Sequence, residues 1–289
     1  MRTGLSHPAV IAERLIQRLP QRLQPRLQHL LRRLRLRRYL KRRVGSRFQP
    51  VDSGSAAPPE LLAQTSVLYE RDLPAAADTD RYFAGGYLGV LMYLETAEKF
   101  GFELDTARAV LDFGCGAGKN IRLLRGIRDL RVVGTDVNAA QIEWAQRRVP
   151  GVEFHVNDLD PPLRFAGDDT FDLVTAASVF THIPLHLQRP WLDEIRRILR
   201  PGGYFLCTVA GAHHIRIQLS PALQEQLRTE GHVTLTPQDP GVSYATKAAG
   251  SWDVFQTREE VLRSFGSVFE VLDYSASESA QDMLVLRKQ

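Results

Sequence analysis

The sequence predicts an α/β fold in which helices cover both faces of a mostly parallel sheet. From residue 109 onward, short apolar runs of strand length alternate with segments of helical pattern. A glycine-rich turn follows the first run directly, and the breakers Pro201, Gly202 and Gly203 precede the fifth. Such alternation is typical of parallel sheets, because each strand returns to the same edge through a crossover helix.

The individual elements follow from length, apolar content and capping residues. Strands are predicted at 109–113, 131–135, 152–156, 171–176 and 204–209, and helices at 120–126, 138–148 and 189–199. Asn138 and Gln141 have the spacing of a helix capping box, which supports the second helix. The same spacing at Thr257 and Glu260 predicts a last helix.

The charges are divided unevenly along the chain. Its 289 residues contain 37 Lys and Arg against 33 Asp and Glu, for a formal net charge of +4. The first 50 residues hold 14 of the basic side chains and one acid, Glu13, whereas the remaining 239 hold 23 basic and 32 acidic groups. An acidic body of ordinary globular composition therefore carries a strongly basic N-terminal arm.

Composition also excludes several classes of protein. The longest central apolar run, Tyr87 to Leu94, is far shorter than the roughly 20 residues that span a bilayer. No apolar core of a secretory signal follows the basic N-terminus. Two cysteines, Cys115 and Cys207, cannot form a disulfide framework, and the sequence has no metal-ligand motif. These features predict a cytoplasmic protein that binds no metal.

Residues 1–48 are predicted to form a basic amphipathic arm. Leucines recur there at near-helical spacing with arginines between them, and Pro20 and Pro25 are expected to kink or break the helix. Such an arm suits the anionic surface of the inner membrane, or a protein partner. An organelle transit peptide and a plain solvated extension are the alternatives. Aromatic residues are nearly absent among the arginines, which disfavours nucleic acid.

The rest of the chain is divided by composition and length. Residues 49–60 are rich in Gly, Ser, Pro and Ala, which predicts a flexible linker. Residues 61–289 then form the main domain. Within it, residues 211–251 follow a core strand and are too many for a plain loop, so we expect them to cover the substrate.

The glycine-rich turn matches neither common phosphate-binding loop. Gly114, Gly116 and Gly118 follow the pattern G-x-G-x-G, whereas the dinucleotide fingerprint requires G-x-G-x-x-G. The Walker pattern fails as well, because no hydroxyl residue follows the lysine. Glycines at such a turn let a ligand approach the backbone. Asp136, directly after the second strand, can accept hydrogen bonds from a ribose diol.

With these motifs, the sequence resembles the class I S-adenosylmethionine-dependent methyltransferases. The matching segments run in order through residues 109–210: VLDFGCGAG at 110–118, VGTD at 133–136, NDL at 157–159, FDLV at 171–174, SVFTH at 178–182 and LRPGG at 199–203. The resemblance implies a Rossmann-like, seven-stranded sheet and S-adenosyl-L-methionine as cofactor. It also implies that residues 269–274 and 282–286 form a closing antiparallel hairpin.

The resemblance assigns residues to the amino-acid end of the cofactor. Gly114, Gly116 and Gly118 correspond to the turn that lies against the amino-acid and ribose portions. Asp112 corresponds to the acid that holds the ammonium group, often through water. Ser178 corresponds to the backbone that passes the methionine end.

It also assigns residues to the nucleoside end. Asp136 corresponds to the acceptor of the ribose diol, and Val137 to the residue beside the adenine. Asp158 and Leu159 correspond to the pair that contacts the adenine amine and ring. A loop-capping role is the alternative for Asp158.

Two histidine positions are candidates for catalysis. A hydroxyl acceptor must lose a proton, and His182 follows the fourth strand at the same rim as the cofactor. Its alternative role is to order the turn that follows. His213, which precedes His214, is the second candidate, and these two can equally orient a substrate or lie on the surface.

We therefore predict an enzyme that transfers a methyl group from S-adenosylmethionine to oxygen in a small-molecule or saccharide, glycan-type acceptor. The acceptor class rests on the resemblance alone. One alternative is an NAD-dependent oxidoreductase, against which the glycine spacing argues. The other is a catalytically silent scaffold of the same fold that docks through its arm.

Overall fold

The computed structural model describes residues 24–50, 75–236, 238–239 and 252–289. The predicted linker beyond Pro50 lies outside these ranges, as does most of the N-terminal half of the arm. Among the residues that the structure describes, no helix combines the length and the apolar character that a bilayer crossing requires.

A seven-stranded sheet forms the centre of the molecule. Numbered along the chain, the strands are β1 (Ala109–Phe113), β2 (Arg131–Asp136), β3 (Glu153–Val156), β4 (Phe171–Ala176), β5 (Leu199–Val209), β6 (His232–Leu235), β7 (Asp253–Gln256), β8 (Glu270–Ser275) and β9 (Asp282–Arg287). The sheet has the order β3-β2-β1-β4-β5-β9-β8, whereas β6 and β7 pair separately. Only the pairs that involve β9 are antiparallel in the large sheet, so the predicted mostly parallel sheet and closing hairpin are confirmed.

Helices cover both faces of this sheet, as predicted. They are α1 (Gln24–Val44), α2 (Ala75–Lys99), α3 (Ala139–Arg148), α4 (Leu185–Ile198), α5 (Ala212–Gln218), α6 (Pro221–Glu230) and α7 (Arg258–Gly266). Side chains of α1, α2 and α3 form one core with Val110 of β1. Side chains of α4 and α7 form a second core with Leu111, the next residue of the same strand. The two cores lie on opposite faces because successive strand residues point to opposite sides.

Capping residues set two of the helix starts. The Asn138 side chain accepts a hydrogen bond from the Gln141 N–H at the start of α3. The Thr257 side chain accepts from the Glu260 N–H at the start of α7. Both helices therefore begin where the capping pattern predicts.

The helix predicted at 120–126 is wrong. A single 3₁₀ turn spans Ile121–Leu124, and all four of its side chains are buried, so this segment lacks the polar face of a surface helix. The carbonyl oxygen of Gly126 accepts a 2.7 Å hydrogen bond from the Gln49 N–H, so another part of the chain packs against this end of the segment. Packing on both sides therefore overrides the helical propensity of this segment.

The predicted break at Pro201–Gly203 is replaced by strand. Helix α4 ends at Ile198, and β5 begins with the next residue. The Gly202 N–H donates to the Lys288 carbonyl oxygen, and the Lys288 N–H donates to that of Gly203, both at 2.9 Å. Because these glycines find partners beside the last strand, they extend the sheet.

The predicted cover at 211–251 contains α5, α6 and β6. Strand β6 pairs antiparallel with β7, which follows the cover. Leu219, Leu227 and Phe255 are buried in a small core that this unit shares with Ala210, the residue after β5. The described part of the segment is thus folded, and its position over a substrate stays a prediction.

The C-terminal half of the basic arm packs on the main domain. Leu36, Leu40 and Val44 of α1 are at most 5% exposed and belong to the core that includes α2. Arg35 and Arg43 form salt bridges to Glu95 and Glu98 of α2, with N–O distances of 2.9 and 2.7 Å. The division into arm, linker and main domain stays a prediction, but the described part of the arm is held by the body.

The opposite side of α1, which we call the outer face, combines leucines with basic residues. It consists of Leu30, Leu31, Leu34, Arg38, Lys41 and Arg42, all exposed. At 3.6 residues per turn, these positions lie away from the buried side chains of the helix. The three leucines are 37–48% exposed, although they belong to the stripe that predicted an amphipathic helix. Within the part of the chain that the structure describes, these three leucines therefore remain partly exposed.

Candidate functional site

The glycine turn after β1 closes on the loop after β4. Gly114, Gly116 and Gly118 have φ angles of 75°, 55° and 77°, in the left-handed region that favours glycine. A Cβ atom on Gly114 would lie 2.3 Å from Cγ2 of Val179, so only glycine permits this contact. Thr135 of β2 holds the turn, because its carbonyl oxygen accepts a 2.8 Å hydrogen bond from the Gly114 N–H.

Asp136 at the end of β2 points its carboxylate at the same turn. Oδ2 accepts from the Gly116 N–H at 2.8 Å, and Oδ1 accepts from the Asn138 N–H at 2.9 Å. Burial raises the pKa of Asp136, and the backbone N–H donors oppose this rise. A carboxylate has about four acceptor positions, so each oxygen can still accept from a hydroxyl group.

Asp112 is buried at the end of β1, with 2% of its surface exposed. The Thr175 hydroxyl on β4 donates to its Oδ1 at 2.7 Å. Burial raises the pKa of Asp112 to about 7, and the negative charge of Asp136 adds to this rise. The hydrogen bond from Thr175 and the positive charge of Lys119 both act against it. A small cavity of about 20 Å³ touches Asp112, Thr175 and Asn120, which is room for one water molecule.

The predicted adenine contacts follow β2 and β3, beside the glycine turn. We call the space between the glycine turn, Asp112, Asp136 and these contacts the crevice. Val137 and Leu159 are 52% and 61% exposed, although both are large and apolar. The Asn157 N–H donates to the Asp136 carbonyl oxygen at 3.1 Å, which brings the ends of β2 and β3 together. Asp158 follows Asn157 and is exposed. Exposed apolar side chains beside a carboxylate suit a flat ring with a polar edge.

These residues fit a nucleoside that carries an amino-acid end. Acceptors for a diol lie at Asp136, and apolar surface lies beside them at Val137 and Leu159. An acid for an ammonium group lies at Asp112, one strand away. The structure therefore brings together the glycine turn and both acids at the carboxyl ends of adjacent strands, where sheets of this type bind ligands.

Ser178 has a strained backbone next to the glycine turn. Its φ angle of 57° is unusual for a residue with a side chain. Its N–H donates to the Thr208 hydroxyl at 2.8 Å, and its own hydroxyl donates to Oε1 of Gln281 at 2.8 Å. Thr208 also donates to Oε1 of Gln281, at 2.6 Å. Strain of this kind is characteristic of functional loops that their surroundings hold in place.

His182 has a defined tautomer. Its Nδ1 lies 2.9 Å from the Trp252 carbonyl oxygen and 3.4 Å from Oδ1 of Asp253. Because a carbonyl oxygen only accepts, Nδ1 must carry the proton, and the neutral ring keeps a lone pair on Nε2. The Val254 N–H donates to the Thr181 carbonyl oxygen at 2.8 Å, which fixes β7 beside this histidine.

His213 has a different environment at the start of α5. Its Nδ1 lies 3.4 Å from Nη2 of Arg216, and a guanidinium only donates, so this contact uses the Nδ1 lone pair. The neighbouring His214 ring lies 5.4 Å away, and burial lowers the pKa of His214. Between the two predicted histidines, His182 therefore has the geometry that better suits a base.

Several residues of this site escape prediction from sequence. Thr175, Thr208 and Gln281 support Asp112 and Ser178, and Asp253 lies beside His182. Each comes from a strand or hairpin between 30 and 103 positions away along the chain. Hydroxyl and amide residues at strand ends are common, so their types alone carried no signal.

Comparison with known proteins gives a family for the central segment. Residues 110–203 match the family model described as a methyltransferase domain. The phthiotriol/phenolphthiotriol dimycocerosates methyltransferase 1 of Mycobacterium ulcerans (strain Agy99) is 37% identical over 106 residues, which cover 36% of this chain and 38% of that protein. The fatty-acid O-methyltransferase of Mycolicibacterium smegmatis is 30% identical over 146 residues, which cover 49% and 50%. The chain thus spans half or less of the length of these relatives.

The fold has a solved counterpart as well. The PH0226 protein from Pyrococcus horikoshii OT3 superposes with a TM-score of 0.50 at 19% identity, over 70% of this chain and 91% of that one. At this level of identity the similarity concerns the fold alone.

Proposed function

Because the chain carries a class I S-adenosylmethionine-dependent methyltransferase domain, we propose that it methylates an oxygen atom of a small-molecule acceptor. The observation that carries the proposal is the pairing of two strand-end acids, Asp112 and Asp136, with the glycine turn in one crevice. The same family match favours S-adenosyl-L-methionine over NAD as the cofactor. Oxygen is supported by two relatives whose names specify O-methylation.

The chain's main contribution to this reaction is alignment. When bound, S-adenosylmethionine would supply a methyl group on a sulfonium sulfur. An acceptor oxygen would attack the methyl carbon in line with the carbon–sulfur bond, which would break and release S-adenosylhomocysteine as a neutral thioether. The glycine turn and Asp136 hold the nucleoside, and Asp112 holds the ammonium of the amino-acid end. Fixing both ends orients the reacting centre, and orientation of this kind accounts for up to about 7–11 kcal/mol of a barrier.

His182 serves as the general base in this proposal. The acceptor hydroxyl would give its proton to Nε2 as its oxygen bonds to the methyl carbon and the carbon–sulfur bond of the cofactor breaks. The Trp252 carbonyl holds Nδ1–H in place, and the Asp253 carboxylate, 3.4 Å away, stabilises the charge that the ring acquires. His213 is the weaker candidate, since its Nδ1 lies against the Arg216 guanidinium.

The acceptor is proposed to be a small molecule, with saccharides and glycans as the first class to test. Names of relatives add a second class, because one acts on dimycocerosates and another on a fatty acid. A panel of sugars, glycolipids and fatty acids, incubated with the protein and S-adenosylmethionine labelled in its methyl group, separates these classes. Transfer of label to none of them, nor to any compound in a cell extract, would favour the silent scaffold.

Substitution of His182 tests the proposed base. We expect His182→Gln to lower kcat by about 10²–10⁴-fold, the usual contribution of a general base, with unchanged affinity for S-adenosylhomocysteine. His186→Gln is the matched control, since His186 is exposed on α4 in the same segment. Full turnover by the His182 variant would remove the base from the mechanism.

We also propose that the outer face of α1 binds an anionic membrane surface, which would keep the enzyme peripheral to the inner membrane on its cytoplasmic side. Leu30, Leu31 and Leu34 offer apolar area for the headgroup boundary, and three basic residues follow them on the same face. The helix has no acidic residue, so nothing on it opposes anionic lipid. Each cation near such a surface contributes about 1 kcal/mol.

Vesicle flotation tests this contact with the full chain. We expect binding to phosphatidylglycerol vesicles and little binding to phosphatidylcholine vesicles. The combined substitution of Leu30, Leu31 and Leu34 by Gln is expected to weaken binding at least tenfold. Ile217→Gln, which changes an even more exposed apolar residue on α5, is the control. If the unsubstituted protein and both variants floated equally, the membrane contact would be contradicted, and the arm would be a plain extension or a protein-binding segment.

A further inference from the structure

A row of glycines on α2 packs against the end of the glycine turn. Gly85, Gly86 and Gly89 face Lys119 and Asn120, the two residues that follow Gly118. A Cβ atom on Gly86 would lie 2.3 Å from the Lys119 carbonyl oxygen, and one on Gly85 would lie 3.4 Å from Lys119 Nζ. The absence of side chains on α2 thus makes room for a lysine beside the cofactor crevice.

Lys119 places a positive charge next to the buried acid of that crevice. Its side chain is half-buried, and burial lowers the pKa of Lys119 while the charge of Asp112 opposes this effect. The charge of Lys119 in turn acts against the rise that burial causes in the pKa of Asp112. The cavity at Asp112 is lined by Asn120 and by Val90 and Tyr93 of α2, so Lys119, which precedes Asn120 and packs on α2, lies near that acid.

This arrangement is complementary to a zwitterion. The amino-acid end of S-adenosylmethionine carries an ammonium and a carboxylate on one carbon atom. Asp112 can pair with the ammonium, but Asp112 and Asp136 together repel the carboxylate. A cation within the same crevice removes this repulsion and offers three N–H donors to the carboxylate oxygens.

We propose that Lys119 binds the carboxylate of the cofactor's amino-acid end, opposite the ammonium held by Asp112. This role rests on the proposed function, since it requires that the crevice take this cofactor. In the free protein, the charge of each group opposes the pKa shift that burial imposes on the other, and the zwitterion would pair with both groups when it binds. The glycine row on α2 is the structural condition for this, because larger residues would displace the lysine.

Two ligands that differ only in the amino-acid portion test the role by binding alone. S-adenosylhomocysteine carries the ammonium and the carboxylate, whereas 5′-methylthioadenosine has the same nucleoside and thioether without them. Calorimetry with the full chain gives the Kd of both. We expect Lys119→Met to weaken S-adenosylhomocysteine about 10- to 100-fold, as for loss of a charged hydrogen bond, and to change 5′-methylthioadenosine less than about twofold.

Two further variants complete the design. Lys119→Arg keeps the charge and is expected to retain most of the affinity for S-adenosylhomocysteine. Lys99→Met removes an exposed lysine at the end of α2 and should leave both Kd values unchanged.

The outcomes separate this role from the proposed function. If the Lys119→Met protein lost equal affinity for both ligands, or for neither, the carboxylate contact would be overturned while the cofactor assignment stood. If the unsubstituted protein bound neither ligand, the proposed function would be overturned and this role with it.

Discussion

At the scale of single residues, the site depends on acids that the fold removes from water. The glycine motif and the spacing to the second strand identify Asp112 and Asp136 from sequence. Their supports are not identifiable in this way, because Thr175 reaches Asp112 only after β4 pairs with β1. Asp253 beside His182 is a similar case, since it follows a long segment of the cover. Sequence thus points to the proposed binding groups, whereas the groups that orient them become visible only in the fold.

Burial of Asp112 predicts a pH dependence of stability. The pKa of Asp112 is about 7 in the folded protein and about 3.9 in an unfolded chain. Between these values the folded state holds a proton that the unfolded state has lost. Its contribution to stability is therefore complete below about pH 4 and is lost as the pH rises through 7. We expect the free energy of unfolding to fall by up to about 1.4 kcal/mol per pH unit in this range.

Urea unfolding of the unsubstituted protein and of Asp112→Asn at pH 5, 6 and 7 measures this effect. Asparagine cannot ionise, so the difference between the two proteins isolates the contribution of this carboxyl group. Parallel pH profiles would contradict a raised pKa at Asp112.

At the scale of elements, close packing decides where sequence patterns succeed. Strands β1 to β4 are predicted to within one residue at each end, because each is a short apolar run with a breaker nearby, whereas β6 and β7 are not predicted. The segment at 121–124 fails because its four side chains are all buried, which the periodicity of a surface helix does not anticipate. The glycines of α2 that face Lys119 and Asn120 are a similar case. Their close contact with the glycine turn becomes visible only when the two elements pack together. Contacts between elements are therefore what local patterns omit.

Gly86→Ala tests the contact between α2 and the glycine turn. In an ordinary helix this change would stabilise the protein by up to about 1 kcal/mol. Here the new Cβ atom would lie 2.3 Å from backbone oxygen of Lys119, so the helix must move away. We expect a net loss of about 1–3 kcal/mol of stability and weaker binding of S-adenosylhomocysteine.

Gly85→Ala is the matched control on the adjacent position. Its Cβ atom would lie 3.3 Å from Cε of Lys119, at the flexible end of that side chain, and is expected to be tolerated. Chemical unfolding and calorimetry of the two variants give both readouts. Equal stability of the two variants would show that α2 does not rest on the turn.

At the scale of the whole molecule, charge and composition predict a basic arm and an acidic body but do not predict their contact. The leucine stripe of the sequence includes Leu30 and Leu34, which are exposed. The contact with the body is made instead by Leu36, Leu40 and Val44, which are buried. Their partner, α2, is distant along the chain. The described part of the arm is thus both packed on the body by one face and exposed by the other.

Leu40→Ala tests whether α1 is part of the stable core. The side chain is 1% exposed, so its truncation is expected to lower the free energy of unfolding by about 2–5 kcal/mol. Leu34→Ala, on the exposed side of the same helix, is expected to change it by about 0.5 kcal/mol or less. Denaturant unfolding compares them. If the two variants were equally stable, α1 would be an appendage that unfolds independently of the body.

The position of β9 has a consequence for biosynthesis. This strand is the last one along the chain, yet it lies between β5 and β8 inside the sheet. Gln281, just before it, holds both Ser178 and Thr208 at the rim of the crevice. A ribosome releases the earlier strands first, so β5 waits with an open edge until β9 emerges. The cofactor crevice can therefore be completed only after nearly all of this sequence has been translated.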